Sequence, residues 1–425
     1  MRKALVLLTL ALPVLASEAS IFKDGGEMFN RRLGMFIHWG IYSVGEWHCQ
    51  ELWRKRLARV DYERYKDRFR AEKFDAERFV DVAESAGATY VVITTKHHDG
   101  FCMWDTKTTD YNVMNTPARR DIIREVADAC RRRGLGIGFY FSNPDWHAPF
   151  ANNAKSTHQL PLQPGDRPDE EKYIAYVKAQ VTELCSNYGR LCCFFWDIPT
   201  RIDLPEMDAL VRRLQPGIMI DDRGWGNKAT CDYSTPERDY KWDTPSAKKV
   251  EACDALGVHS WGYRLEEDYH TVGYLTRKID SFLATGANFL LNVGPMSDGT
   301  IPAEQRALMA DVGAWLRKTR ESLRDVETVP GLVDAKKTHA VVTRRGKTVY
   351  VHFPQGLEAT GVDLAPYDVL PKRATVLNTG TALSARVEVL PWQVNRLGGK
   401  PSLHLWGIPA DALANECVVL KIEEE

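Results

Sequence analysis

The 425-residue sequence lacks the marks of several large function classes. It has no G-x-G-x-x-G and no Walker loop, so the common dinucleotide and nucleoside triphosphate cradles are not indicated. It has no C-x-x-C, the spacing of zinc knuckles and dithiol redox centres. H-E-x-x-H is absent, and the first predicted strand does not end in H-x-H. Charge of one sign is missing too: 56 Lys and Arg face 57 Asp and Glu. No field therefore points to nucleic acid or to an anionic membrane, and Arg131-Arg132-Arg133 reads as a solvated helix end. Beyond the N-terminus there is no run of about 18 apolar residues, so no transmembrane helix is expected in the mature chain. Repeats and low-complexity tracts are absent.

What is present begins with a leader-like segment. Met1-Arg2-Lys3 is basic, and the apolar run from Ala4 to Leu15 is too short to span a bilayer. Val14-Leu15-Ala16 and Ser17-Glu18-Ala19 both suit signal peptidase, and no Cys follows closely enough for a lipid anchor. The expectation is a signal peptide over 1–19 and a secreted or periplasmic protein. Nine cysteines, an odd number, leave at least one thiol unpaired within the chain. Most are expected to be buried as small apolar residues. Export leaves room for one or two disulfides, whose pairing the sequence does not specify.

From Leu33 onward short apolar runs alternate with amphipathic stretches. Strands are predicted at Leu33–His38, Thr89–Thr94, Leu135–Phe141, Leu191–Trp196, Gly217–Ile220, Val258–Trp261 and Asn288–Val293. Thr89–Thr94 is β-branched and apolar on both faces, as a buried parallel strand requires. Helices are predicted at Tyr62–Phe69, Phe74–Ala86, Asp121–Arg133, Glu170–Tyr188, Pro205–Leu214, Tyr274–Ala284 and Pro302–Lys318. This rhythm suits an α/β fold, a (β/α)8 TIM-like barrel over 20–328, with an open doubly wound sheet as the alternative. From 329 to 425 the pattern changes. Ala340–Thr343, Thr348–Phe353, Ala374–Leu377, Val387–Leu390 and Val418–Ile422 are short alternating runs between Gly, Pro and Asn, the pattern of a C-terminal antiparallel β-sandwich.

Polar residues gather just after the predicted strands, where a barrel carries its site. His38 closes the first strand, and Lys96-His97-His98-Asp99-Gly100 follows the second. Asn143-Pro144-Asp145-Trp146-His147 follows the third, Asp197 the fourth, Asp221-Asp222-Arg223 the fifth, and Trp261 and Tyr263 follow Val258. Each has a plain structural reading alone; a His after one strand is commonly a hydrogen-bonding scaffold, and Trp39, Trp47 and Trp146 can be core. Together they match a neutral sugar, which offers flat C–H faces to aromatics and hydroxyls to His, Arg and carboxylates. The adjacent pair His97-His98 would point opposite ways on an extended segment, which argues against a shared metal ion. No metal or cofactor is expected. Glycoside hydrolysis needs two carboxyl groups. Asp197, after the apolar run Leu191–Trp196, is the nucleophile candidate. Glu237, in Asp232-Tyr233-Ser234-Thr235-Pro236-Glu237, is the favoured second group, and Glu251 is its rival.

Gly34-Met35-Phe36-Ile37-His38-Trp39-Gly40-Ile41-Tyr42-Ser43-Val44 resembles the opening motif of the family 29 glycoside hydrolases, the retaining α-L-fucosidases. Lys96-His97-His98-Asp99-Gly100-Phe101 with Trp104 resembles their second motif, continued by Arg120-Asp121, Tyr140, Trp146 and His147. Ser260-Trp261-Gly262-Tyr263 and Gly286–Pro295 with Asp298-Gly299 resemble the close of the barrel. The likeness runs from about residue 25 to 320. It implies Asp197 as nucleophile and His38, His97, His98, Glu46, Trp47 and Arg223 as fucose-binding residues. It also implies that Trp261 packs on the C5 methyl. Glu237 resembles a Thr-Pro-Glu form of the acid/base, and Glu251 another position used by some members. One departure is clear: Asp197-Ile198-Pro199 stands where the family often has Asp-Gly. The implied activity is exo-acting removal of terminal α-L-fucose from oligosaccharides or glycoconjugates by double displacement. An α-L-galactosidase and a non-catalytic sugar-binding barrel are the alternatives.

Overall fold

The protein is described by a computed structural model over residues 25–151, 157–226, 229–238, 249–389 and 399–425. The leader-like segment 1–19 lies outside the described residues. In chain order the first unit contains β1 (Leu33–Ile37), α1 (Glu51–Arg54), α2 (Arg59–Glu63), α3 (Ala76–Ala86), β2 (Tyr90–Lys96) and α4 (Ile122–Arg132). Then come β3 (Gly136–Ser142), α5 (Glu170–Asn187), β4 (Cys193–Asp197), α6 (Glu206–Leu214), β5 (Met219–Ile220) and β6 (Tyr233–Ser234). β7 (Lys249–Ala255), α7 (Val272–Ala284), β8 (Asn288–Val293) and α8 (Ala303–Thr319) complete it.

The eight strands are neighbours in the order β5-β4-β3-β2-β1-β8-β7-β6. β1 pairs in parallel with both β2 and β8. Asp221, just past β5, bridges in parallel to Tyr233 of β6, and the Asp232 N–H donates to Ile220 O at 2.7 Å. The sheet thus returns on itself as a nearly closed barrel, not an open doubly wound sheet. β2, β3 and β8 are buried at every position, which is why they read as continuous apolar runs. Asp75, Asp121 and Asp169 cap α3, α4 and α5 by accepting from backbone N–H groups of the first turn.

Two stretches differ from the sequence reading. Val258–Trp261 is a loop, and the seventh strand is β7 instead, whose Glu251 and Asp254 interrupt the apolar pattern although both are buried. Tyr62–Phe69 is divided between α2 and a 3-10 turn, Arg64–Arg68.

The second unit holds β9 (Glu327–Thr328), α9 (Ala335–Thr338), β10 (Val341–Arg345), β11 (Thr348–Phe353), β12 (Gly361–Leu364), β13 (Arg373–Val376), β14 (Ser384–Glu388), β15 (Ser402–Trp406) and β16 (Val418–Glu423). A five-stranded sheet, β13-β16-β11-β10-β9, faces a three-stranded sheet, β12-β15-β14. Val349, Val351, Val376 and Leu420 from the first meet Leu364, Leu403 and Leu405 from the second in one core. Leu390, expected at the end of a strand, lies outside the described residues. The sandwich docks on α7 and α8. Trp315 Nε1 donates to Cys417 O at 3.0 Å, and His352 meets Asp280 at 2.9 Å with both side chains fully buried. None of the nine cysteines is in a disulfide, and eight are buried.

The barrel interior contains Phe36, Tyr90, Val92, Tyr140, Cys193, Phe195, Tyr233 and Cys253. Glu251, two residues before Cys253 on β7, sits among them with no exposed surface. Its Oε2 accepts from the Tyr90 hydroxyl at 2.5 Å, and the Tyr233 hydroxyl also acts on this carboxyl. Burial pushes this carboxyl up to about 8, so it is neutral at pH 7. In the unfolded chain a Glu titrates at about 4.3. The stability from the retained proton is complete below that value and is lost as pH rises toward about 8. Glu251→Gln, which cannot ionise, should therefore gain in Tm relative to the wild type as pH is raised across this window. Parallel Tm curves in thermal melts would contradict the placement.

Candidate functional site

The carboxyl ends of the strands surround a cavity of about 160 Å³, a size for one sugar ring rather than a chain. Phe36, His38, His97, His98, Tyr140, Phe195, Asp197, Ile198, Arg223, Glu237, Cys253 and Trp261 line it, joined by Gln50, Arg54 and His158 from loops and α1. A larger groove, about 650 Å³, lies outside the barrel between α3 and α8. It holds none of the strand-end residues, so size alone does not locate the chemistry.

Asp197 is the last residue of β4. Tyr140 donates its hydroxyl to Oδ2 at 2.6 Å, and Arg223 Nη1 donates to Oδ1 at 2.8 Å. Burial would raise this carboxyl, but the Arg223 charge and these two hydrogen bonds outweigh it and hold it below the ordinary aspartate value. Arg223 also reaches Glu237 Oε2 through Nη2 at 3.1 Å and donates from Nη2 to Thr235 O at 2.7 Å. Burial works against the guanidinium cation, but Asp197 and its other acidic neighbours keep it firmly protonated. Asp222 Oδ1 accepts from the Thr235 N–H and hydroxyl, both at 3.2 Å, which ties the Arg223 loop to the Glu237 loop. Glu237 is the exposed member of the trio, with its side chain 40% accessible.

The backbone after Asp197 is strained. Ile198 has φ +60, a left-handed conformation that glycine adopts without penalty and a β-branched residue does not. The cost is on the order of 1–3 kcal/mol. Asn143 holds the segment in place: its Nδ2 donates to Ile198 O at 2.9 Å and to Arg223 O at 3.0 Å. Trp225 Nε1 in turn donates to Asn143 Oδ1 at 2.8 Å.

The histidines are buried and uncharged. Burial lowers His38 to about 4, and it lowers His97 and His98 as well. Asn292 Oδ1 accepts from His38 Nδ1 at 2.7 Å, so the neutral ring offers the lone pair of Nε2. Ser142 donates to Pro144 O at 3.0 Å and accepts from His98 Nδ1 at 2.6 Å, which leaves His98 Nε2 near Asp197 Oδ2 at 3.8 Å. His97 stacks on Tyr140 at 5.7 Å with rings 6° apart. Behind them Lys96 and Asp145 form a fully buried ion pair at 2.9 Å that joins the end of β2 to the segment after β3. Trp261 lies 5.2 Å from the His38 ring and 6.2 Å from Phe36, forming the apolar wall.

The structure brings together His38, His97, His98, Tyr140, Asp197, Arg223, Glu237 and Trp261. Five other candidates lie away from the cavity. Glu46 is exposed on a turn at φ +53, and Trp47 lies under the Lys55 ammonium at 4.5 Å. Trp146 is buried behind His98, 5.3 Å between rings. His147 meets Glu63 at 2.7 Å and stacks on Tyr111. Glu251 is inside the barrel, below the mouth. Gln50, Arg54 and His158 were not among the sequence candidates; nothing in their local pattern separates them from ordinary loop and helix polar residues.

A sequence model of the family described as alpha-L-fucosidase matches residues 24–321. The plasma alpha-L-fucosidase of Rattus norvegicus is 29% identical over 323 residues, 70% of each chain. The tissue alpha-L-fucosidase of Homo sapiens is 29% identical over 360 residues, 76% of this chain and 75% of that one. The structure of alpha-L-fucosidase isoenzyme 1 from Paenibacillus thiaminolyticus superposes with a TM-score of 0.79 at 30% identity, covering 94% of this chain and 98% of that one. With the matched segment spanning the whole barrel and its strand-end cavity, the chain belongs to the alpha-L-fucosidase family of glycoside hydrolases.

Proposed function

We propose that the protein removes terminal α-L-fucosyl units with retention, with Asp197 as nucleophile and Glu237 as acid/base. The observation that carries this reading is the guanidinium shared by the two carboxylates, one on each terminal nitrogen of Arg223. Retaining glycosidases hold their carboxyl groups about 5–5.5 Å apart, inverting ones about 6.5–9.5 Å. With one planar cation in contact with both groups, we assign the pair to the shorter spacing.

In the first step Asp197 Oδ attacks the anomeric carbon, and the bond to the leaving oxygen breaks as Glu237 delivers its proton. Asp197 suits the attack because Arg223 and Tyr140 keep it ionised. Once Asp197 is esterified it no longer carries charge. The Arg223 cation is then left to Glu237, the group that must act as base on water. Water adds its oxygen to the anomeric carbon, its proton passes to Glu237, and Asp197 leaves as carboxylate. His38, His97 and His98, being neutral, suit sugar hydroxyls, and Trp261 with Phe36 suits an apolar substituent on the ring. The substrate class is a fucosylated oligosaccharide or glycoconjugate.

Asp197→Gly should lower kcat on an aryl α-L-fucoside by at least about 10⁴-fold; an unchanged kcat would remove the nucleophile assignment. Azide should restore turnover of Glu237→Ala and release α-L-fucosyl azide, because it takes the place of water on the glycosyl-enzyme. Rescue of Glu251→Ala instead would transfer the acid/base role to Glu251. Tyr140→Phe removes a hydrogen bond that favours ionised Asp197. Its acidic limb of kcat/KM should move to higher pH and its kcat fall by about tenfold or more; an unmoved limb would show that Tyr140 does not tune the nucleophile.

The basic start and short apolar run of segment 1–19 support export and cleavage. N-terminal sequencing of protein recovered outside the cytoplasm should begin after Ala16 or Ala19, and an intact Met1 would contradict it.

A further inference from the structure

Among the described residues, the rim of the cavity carries one exposed cation that the reaction above does not use. Arg54, the last residue of α1, lines the cavity together with His98 and His158. Its Nε donates to Gln50 Oε1 at 2.8 Å, and its guanidinium stands 5.7 Å from the centroid of the Trp53 ring. The two terminal nitrogens make no hydrogen bond, and no carboxylate lies within ion-pair distance, among the described residues. The acids on the adjoining elements are engaged elsewhere. Glu51 pairs with Lys55, Glu63 with His147 and Asp166 with Arg59, each at 2.7 Å.

Charge balance sharpens the point. Arg223 is matched by Asp197 and Glu237. When one of those carboxyls carries the proton that the first step needs, the cavity holds Arg54 as a surplus positive charge. Gln50 fixes the Nε edge, so the free edge of the plane is the pair of terminal nitrogens. That pair matches two oxygens of one oxyanion, a bidentate geometry that a neutral hydroxyl does not exploit. The rings of His158 and His98, 5.2 Å apart, wall this side of the cavity, and Trp53 packs on His158 at 4.9 Å.

We propose that Arg54 forms a subsite for an oxyanionic substituent, a sulfate ester or a carboxylate, carried by the substrate at or next to the fucosyl unit. The proposal rests on the fucosidase reading and adds a charge specificity to it.

The test compares kcat/KM of the full-length enzyme on a neutral aryl α-L-fucoside, on its ring O-sulfated forms, and on the same fucoside with a carboxylate on the aryl group. The wild type should favour at least one anionic substrate, with a preference that shrinks as salt is added. Arg54→Met should lower the anionic-to-neutral ratio by about tenfold, the scale of one charge-assisted pair, and Arg54→Lys should restore part of it. Preference for the sulfated ring places the anion on the fucose, and preference for the charged aglycone places it on the neighbouring group. A wild-type ratio at or below one for every anionic substrate, or a ratio unchanged in Arg54→Met, would overturn the subsite while leaving the fucosidase reading intact. Failure of the wild type to cleave even the neutral fucoside would instead bring down the fucosidase reading, and the subsite with it.

Discussion

The site depends on one half-buried cation. Arg223 stands three residues beyond β5 and holds Asp197 of the neighbouring strand through one nitrogen and Glu237, three residues beyond β6, through the other. A guanidinium can do this because it is planar, always charged, and forked at the spacing of carboxylate oxygens. The barrel must therefore bring the ends of β4, β5 and β6 together. It does so with little strand to work with, since β5 and β6 have two residues each. The bridge from Asp221 to Tyr233, the Asp232 bond to Ile220 and the grip of Asp222 on Thr235 supply the closure that longer strands would give. Asp221 adds to it by accepting from the Trp196 N–H at 2.9 Å, next to Asp197.

Apart from Arg54 at one edge, the rest of the cavity around this charged centre is polar but neutral. Burial strips His38, His97 and His98 of charge, and fixed partners at Asn292 and Ser142 set which nitrogen of His38 and His98 faces inward. These neutral side chains make directional hydrogen bonds, which suits hydroxyl groups. The precision of the site has a local cost in the left-handed Ile198, which persists because Asn143, itself gripped by Trp225, over-determines that segment.

Much of this was legible in the sequence, for identifiable reasons. Strands buried on both faces advertise themselves as apolar runs, so β1 to β4 and β8 could be placed within a residue or two. Residues at or just past strand ends, His38, His97, His98, Asp197 and, after β5, Arg223, followed from the barrel rule. β6 is too short to leave a pattern. β7 was hidden by Glu251 and Asp254, which are buried but polar, and a strand was read at Val258–Trp261 instead. The same strand explains the ambiguity between Glu237 and Glu251. A shift of two residues along a strand keeps a side chain facing inward but moves it about 6.6 Å along the axis. That distance separates the mouth, where Cys253 lines the cavity, from the interior, where Glu251 sits. Glu46 and Trp47 belong to a family-like pair, yet the turn at Gly45 and Glu46 carries them outward. Gln50, Arg54 and His158 reach the cavity only through the folding of long loops, which no local periodicity records.

The central claim is that one guanidinium holds two carboxylates close enough for a covalent glycosyl-enzyme. The measurement that tests it most directly is the configuration of the first sugar released, followed by proton NMR during rapid hydrolysis of an aryl α-L-fucoside. The account predicts α-L-fucose first, with the β anomer appearing only through slow mutarotation. Initial release of β-L-fucose would mean a single displacement by water across a wider gap, and would contradict it.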